Sequence, residues 1–345
     1  MAIAPGIANQ GAAMNAAISN FNQTAVVPLN KPRTGIVVDA SCDLPAAYFQ
    51  NPDVAVVPIS VRIGRQEYID RHNPHATDQF IREGLGGKGA DAETIPMSAA
   101  ELATFFQERF VLDFDSVYCL TVSATRSPIY DNAMSASAAL ARSARAMREA
   151  AGISRPFQLR IIDTRNAMAA QGIAALELQD LIERNLPQAQ IRTRLYEVID
   201  ATYGYLLPDD LYYLRARLSA KGDRSVGRIG AALGTALDIK PVIQGRLGKT
   251  GPVAKIRGRE EALARLFRFC STRVQRGLLC PHLSVSYGGP LDELRGLPGY
   301  EALVNVCHNE NVRLHESVMS ITGMINVGQR AVSIGFAAPD HTAEF

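Results

Sequence analysis

The chain contains no tryptophan, and phenylalanine and tyrosine bring its aromatic content to only 7%. A platform that stacks bases needs exposed rings, so single-stranded nucleic-acid binding is not expected. Charge of one sign is never in large excess: 36 Lys and Arg against 34 Asp and Glu leave a net charge of +2 over 345 residues. No basic stripe or block occurs, and with it goes the electrostatic signature of nucleic-acid or membrane-surface binding. No apolar run reaches the ~18–20 residues of a membrane-spanning helix. Cysteine is sparse: Cys42, Cys119, Cys270, Cys280 and Cys307 include no Cys-x-x-Cys pair. They read as free buried thiols of a reducing cytoplasm. His282 near Cys280 and His308 beside Cys307 are the only near-pairs of soft ligands, short of the cluster a metal needs, so no metal is expected.

Two signatures of catalysis are also missing. No Gly-x-Ser-x-Gly elbow is present, and none of the six histidines has a persuasive acid partner in sequence. Gly84-Leu-Gly-Gly-Lys88-Gly looks superficially like a phosphate loop but lacks the spacing of one. Gly227-Arg-Ile-Gly-Ala-Ala-Leu-Gly234 has spaced glycines without a preceding strand, which favours close helix packing.

What is present is apolar material, 47% of the chain, enough for two sizeable cores. Residues 1–32, rich in Ala, Asn, Gln and Ile, lack the basic leader of a secretory signal and the Arg bias of a transit peptide. They read as a flexible or weakly helical extension. Four strands follow, at 35–39, 54–61, 117–122 and 159–162, with Pro58 marking a bulge or edge in the second. Ser98-Ala-Ala-Glu101 opens a helix as a capping box, and an Ala-rich helix runs on to residue 151. Strand–loop–helix repetition implies crossovers and a parallel sheet.

The second half is a mixed layer. Strands are expected at 203–207, 242–245, 253–256, 283–287, 312–317 and 332–336. The second and third of these flank Gly248-Lys-Thr-Gly251 as a hairpin. Helices are expected over 211–216, 228–238, 260–276 and 291–308. A boundary falls near residues 186–198. The expectation is thus an N-terminal α/β domain over 33–190 and a C-terminal α+β domain over 191–345.

Hydroxyls gather where the first-half strands end: Ser41, Thr94, Ser98, Ser123, Thr125 and Ser127. The carboxyl edge of a parallel sheet is a ligand crevice, and hydroxyls beside helix N-termini suit a carboxylate. Each of them is also an ordinary N-cap residue.

Taken in order, the motifs resemble those of the DegV family over about residues 34–337. Ile36-Val-Val-Asp39-Ala-Ser41-Cys-Asp43-Leu-Pro45 is similar to the family's opening, and Val56-Val-Pro58-Ile-Ser60-Val61 to its next block. Asp163-Thr164-Arg165, Gly227-Arg228-Ile229, Leu233 to Pro241 and Lys255-Ile-Arg257-Gly258-Arg259 follow in family order. The resemblance implies an α/β domain, an α+β domain and a long-chain fatty acid bound between or beneath them. In family terms the protein is a non-catalytic subunit that shows the carboxylate to an ATP-dependent fatty-acid kinase. The ligand residues it implies are Thr94, Ser123, Ser127, Arg228 and Asn326, with Arg257 facing the kinase and the phosphate. No cofactor is implied beyond the bound acid. Several positions depart from the family: Ile95 and Ala124 replace serines, Pro128 and Ile129 a glycine and a threonine, and Asn326 replaces a histidine. An imidazole can carry charge near a carboxylate, whereas an amide only hydrogen-bonds. The rival readings are a hydrolase using Ser123 or Ser127, a small-molecule kinase using the same cleft, and a regulatory module with an altered ligand.

Overall fold

The computed structural model describes residues 33–85, 92–220 and 238–345. Strands β1 (Thr34–Asp39), β2 (Val54–Val57), β6 (Ser116–Thr121) and β7 (Gln158–Asp163) form a sheet ordered β2-β1-β6-β7, parallel throughout. β6 is buried along its whole length and β1 nearly so. That is why both read as continuous apolar runs rather than alternating ones. α2 (Ala99–Phe110) and α3 (Ile129–Ala150) pack together over one face, where Phe106, Phe110, Val117 and Leu140 share a core. The Ser98–Glu101 capping box is formed.

The run expected as one strand over 54–61 is two. Proline has no N–H to donate and breaks the ladder at Pro58. β3 (Ile59–Ile63) leaves for a second, antiparallel sheet between β4 (Gln66–Asp70) and β5 (Ala92–Pro96), with α1 (Pro74–Arg82) in the connection between them. β4 and β5 were not expected, because Gln-Glu-Tyr-Ile-Asp and Ala-Glu-Thr-Ile-Pro carry too few apolar residues to stand out.

The second half supplies a six-stranded mixed sheet. Its members are β8 (Thr202–Leu207), β9 (Ile239–Arg246), β10 (Lys249–Arg257), β11 (His282–Tyr287), β12 (Arg313–Val318) and β13 (Val332–Ala337), in the order β10-β9-β8-β13-β11-β12. The hairpin turn falls on Leu247 and Gly248, at φ 50° and 74°. Two consecutive left-handed residues make the tight turn that matches strand twist, and Lys249-Thr-Gly251 is strand instead of loop. The helix expected over 260–276 is α7 (Arg259–Gln275), and the one expected over 291–308 is two, α8 (Leu291–Arg295) and α9 (Tyr300–Asn309), with Gly299 left-handed between them at φ 87°. The helix expected from 228 lies, up to residue 237, outside the described residues.

Between the parallel and mixed sheets runs α4 (Met168–Glu183). It meets β1 and β6 of the first and β8, β11 and β13 of the second. Ile173, Ala174 and Leu178 are buried, and so are Gln171, Glu177 and Asp180. α5 (Gln188–Ala201) packs alongside it. All five cysteines are buried free thiols. No helix among the described residues is long and apolar enough to cross a membrane.

The acids of α4 meet a histidine pair at one end of the mixed sheet. His282 Nδ1 lies 3.1 Å from His315 Nε2, and His282 Nε2 lies 3.3 Å from Asp180. Glu177, Asp180 and His282 could together face a cation. Each carboxylate already has an arginine, however: Arg194 on Glu177 at 3.0 Å and Arg313 on Asp180. Burial, then the Arg313 charge, pushes His282 well below its usual pKa, and the same two causes bring His315 down to about 4. In the unfolded chain a histidine titrates near ~6.5. Between those values the unfolded state holds the extra protons, so stability is complete above ~6.5 and drains away as pH falls toward ~4. Melting temperatures measured across that window should decline steadily, and His315→Gln should flatten the decline. An unchanged slope in the variant would remove His315 from the account.

Candidate functional site

A cavity of about 840 Å³ opens where the three sheets meet. Its size is that of a site for a drug-sized or acyl ligand. Ile59 and Thr94 come from the small antiparallel sheet, Val122, Ser123 and Thr125 to Pro128 from the loop after β6, and Arg165 to Ala167 from the loop after β7. The mixed sheet contributes Gly204, Leu206, Ile243 and Gly245. α6 (Leu211–Ala220) contributes Leu214 and Arg217, three apart and hence on one helix face, and α10 (Ile321–Val327) contributes Asn326 and Val327.

The space exists because side chains are missing. Gly335 on β13, Gly204 on β8 and Gly245 on β9 are register partners in a row across three strands. A Cβ on Gly335 would stand 2.3 Å from the Ala170 Cα. On Gly204 it would stand 3.0 Å from the Ala170 Cβ, and on Gly245 it would meet only Asn166 Oδ1, at 3.9 Å. The first turn of α4 therefore touches the sheet at Gly335, and by Gly245 the gap has widened into the cavity.

Buried carboxylates hold the polar walls. Asp39, at the end of β1, accepts from the Val122 N–H at 2.5 Å, the Gln171 amide at 3.1 Å and the Ser41 N–H at 3.0 Å. It thereby ties the loop after β6 to α4. Asp43 accepts from the Ser286 hydroxyl at 2.7 Å and the Ser320 N–H at 2.9 Å, while Asp70 accepts from the Thr322 N–H at 2.7 Å. The last two acids fix the first turn of α10, and so the position of Asn326. Burial raises the pKa of both Asp39 and Asp43, and the donors around each oppose that rise.

Four of the expected ligand residues, Thr94, Ser123, Ser127 and Asn326, line this one cavity from three separate segments. The Ser123 hydroxyl lies 3.0 Å from Thr125 Oγ1, and the Thr125 hydroxyl donates to the Gly248 carbonyl at 2.9 Å, closing the loop onto the hairpin turn. Ser127 Oγ accepts from the Ile129 N–H at 3.3 Å, a local turn contact just ahead of α3. Asn326 spends one amide N–H on Thr322 O at 2.7 Å, and its second N–H is the donor a carboxylate could use. Arg228 lies outside the described residues. Arg257, the last residue of β10, is exposed and is not among the lining residues. Of the departures, Asn326 and Pro128 line the cavity; Ile95 and Ala124 do not. Ile95 neighbours Thr94 on a strand and so faces the other way.

Beyond Arg228 and Arg257, four further cations are not singled out by the sequence. Arg126, Arg165, Arg217 and Lys249 line the cavity, and no Asp or Glu is among its described lining residues. Arg165 pairs with Asp200 outside it. No histidine lines the cavity either, so neither Ser123 nor Ser127 has an imidazole base beside it. The arrangement is a cationic, hydroxyl-rich wall continuous with an apolar one, suited to an anionic amphiphile.

The sequence profile of the DegV family, described as uncharacterised proteins, matches residues 33–339. A DegV domain-containing protein of Xanthomonas axonopodis pv. citri is 50% identical over 309 residues, 90% of this chain and 98% of the relative. Another from Xanthomonas campestris pv. campestris is 49% identical over 310 residues, 90% of this chain and 99% of its own. Among solved structures, a stearic-acid-binding protein from Eubacterium ventriosum superposes with TM-score 0.71 at 21% identity, covering 88% of this chain and 98% of its own. DegV of Bacillus subtilis, a fatty acid binding protein, gives TM-score 0.65 at 18% identity, covering 90% and 100%. At such identities the likeness is one of fold.

Proposed function

This chain belongs to the DegV family, and from that premise we propose that it binds a long-chain fatty acid in the cavity described above. The observation that carries the reading is the lining: apolar on the side of Leu206, Ile243 and Val327, cationic and hydroxylated elsewhere, with no described carboxylate to repel an acid. Each buried methylene adds about 0.8 kcal/mol, so the chain supplies affinity and the polar wall supplies orientation. Thr94, Ser123 and Asn326 face the carboxylate in this reading, with Ser127 at the loop's far end. The stearic-acid-binding and fatty-acid-binding proteins among the similar solved structures support the same ligand class.

The test is direct. Protein purified from a lipid-replete host, denatured and extracted, should release close to one equivalent of fatty acid by mass spectrometry. Extracts without acyl lipid, together with no uptake of added oleate, would overturn the reading.

The finer proposal is that the chain performs no turnover alone and shows the bound carboxylate to an ATP-dependent kinase subunit, with Arg257 on the docking side. Its exposure at the end of β10 supports that role. Hydroxylamine trapping should detect acyl phosphate only when oleate, ATP and a kinase-containing extract are all present, and Arg257→Ala should lower the yield. Product from the isolated chain would instead make it an enzyme.

A further inference from the structure

α6 opens with Asp210, whose carboxylate accepts from the Tyr213 N–H at 3.1 Å, and the Tyr213 hydroxyl donates to the Ile325 carbonyl of α10 at 2.7 Å. These contacts hold the helix against the cavity wall. One turn further on stands Arg217, only 8% exposed although it carries a full charge. Its guanidinium donates to the Ala92 carbonyl at the start of β5. Its Nε is buried with no hydrogen-bond partner, and no carboxylate pairs with it among the described residues. Arg273, 7% exposed, also has a buried Nε without a partner but does not line the cavity. Two other cations of the fold are paired. Arg148 meets Asp115 at 2.5 Å as well as three backbone carbonyls, and Arg194 meets Glu177 at 3.0 Å. Burying a cation without a counter-charge is costly, and proteins meet that cost with a partner or a ligand.

We propose that Arg217 is the buried counter-cation for the acid head of the ligand, so that the site selects the ionised amphiphile over its neutral analogues. The inference rests on the fatty-acid reading and adds the residue that makes the cavity specific for an anion. Arg217 is a lining residue, as are Thr94 two positions beyond Ala92, Asn326 on α10, and Leu214 on its own helix face. A carboxylate seated among these groups would meet a planar, permanently charged donor, two neutral polar groups and, beside them, the apolar wall that takes the chain.

The experiment compares oleate with oleyl alcohol, which share chain length and unsaturation and differ in the charged head. Delipidated wild-type protein should bind oleate at least about tenfold more tightly than the alcohol, the minimum expected of a charge-assisted contact. Arg217→Gln should lose about tenfold or more for oleate and change the alcohol by less than about twofold. Arg217→Lys, which keeps the charge and a donor for the Ala92 carbonyl, should recover part of the loss. Equal losses for both ligands in a folded Arg217→Gln protein, or wild-type protein that binds the alcohol as tightly as the acid, would overturn the proposal. The second of these outcomes needs no variant and so survives any folding defect. Failure of wild-type protein to bind either ligand would instead remove the fatty-acid reading beneath it.

Discussion

Replacing Gly335 by alanine should destabilise the folded protein by at least about 1–3 kcal/mol, the usual range for overpacking a tight core. The added Cβ would stand 2.3 Å from the Ala170 Cα and 2.6 Å from its nitrogen. Both atoms are backbone, so no rotamer change relieves the contact; α4 must lift from the sheet as a body. That helix is shared by the parallel and mixed sheets, and lifting it loosens both. Alanine recovers about 0.5–1 kcal/mol relative to glycine by stiffening the unfolded chain, too little to offset the clash. Urea unfolding monitored by circular dichroism measures the effect. A midpoint equal to or above that of the wild type would mean the helix and sheet are not in tight contact at Gly335.

Two strands away in the same row, the opposite outcome is expected. Gly245→Leu should leave stability close to wild type and remove most ligand binding. A Cβ there meets only Asn166 Oδ1 at 3.9 Å, and the rest of the leucine side chain would extend into the cavity. Displacing about four methylenes of a bound chain costs about 3 kcal/mol, a loss in affinity of about a hundredfold. Gly251→Leu on the neighbouring strand, where an added Cβ meets nothing within 4 Å and which is not a lining residue, is the matched control. Unchanged oleate affinity in Gly245→Leu would place the ligand elsewhere in the fold.

The parts of the fold legible in the sequence are those with dense local signals. β1 and β6 are apolar runs bounded by turns, β11 alternates Leu283, Val285 and Tyr287 with polar residues, and the Ser98 capping box occupies four consecutive residues. The order of the mixed sheet was not legible, because β8 pairs with β13 across more than a hundred residues and no local pattern records that choice. The site divides in the same way. Thr94, Ser123 and Asn326 sit in ordered motifs, so their candidacy could be stated before any coordinates. Arg217 could not be singled out: Leu-Arg-Ala-Arg-Leu reads as a solvated helix with alternating charges, and only the cavity shows that one of the two arginines faces inward. The glycine row was equally invisible, since Gly204, Gly245 and Gly335 come from three distant segments and become a row only through strand register.

The position of α4 also has a consequence for how the chain is made. One side of the helix is covered by β1 and β6, which precede it, and the other by β8, β11 and β13, which follow. β11 is synthesised on the order of a hundred residues after the helix. At ~5–20 residues per second, a growing chain carries that uncovered apolar side for roughly 5–20 s. Nascent molecules are therefore exposed to aggregation during one defined interval of translation. A chaperone acting on this protein would find its target on the sheet-facing side of α4, with Ala170 at its leading end, before the last strands arrive.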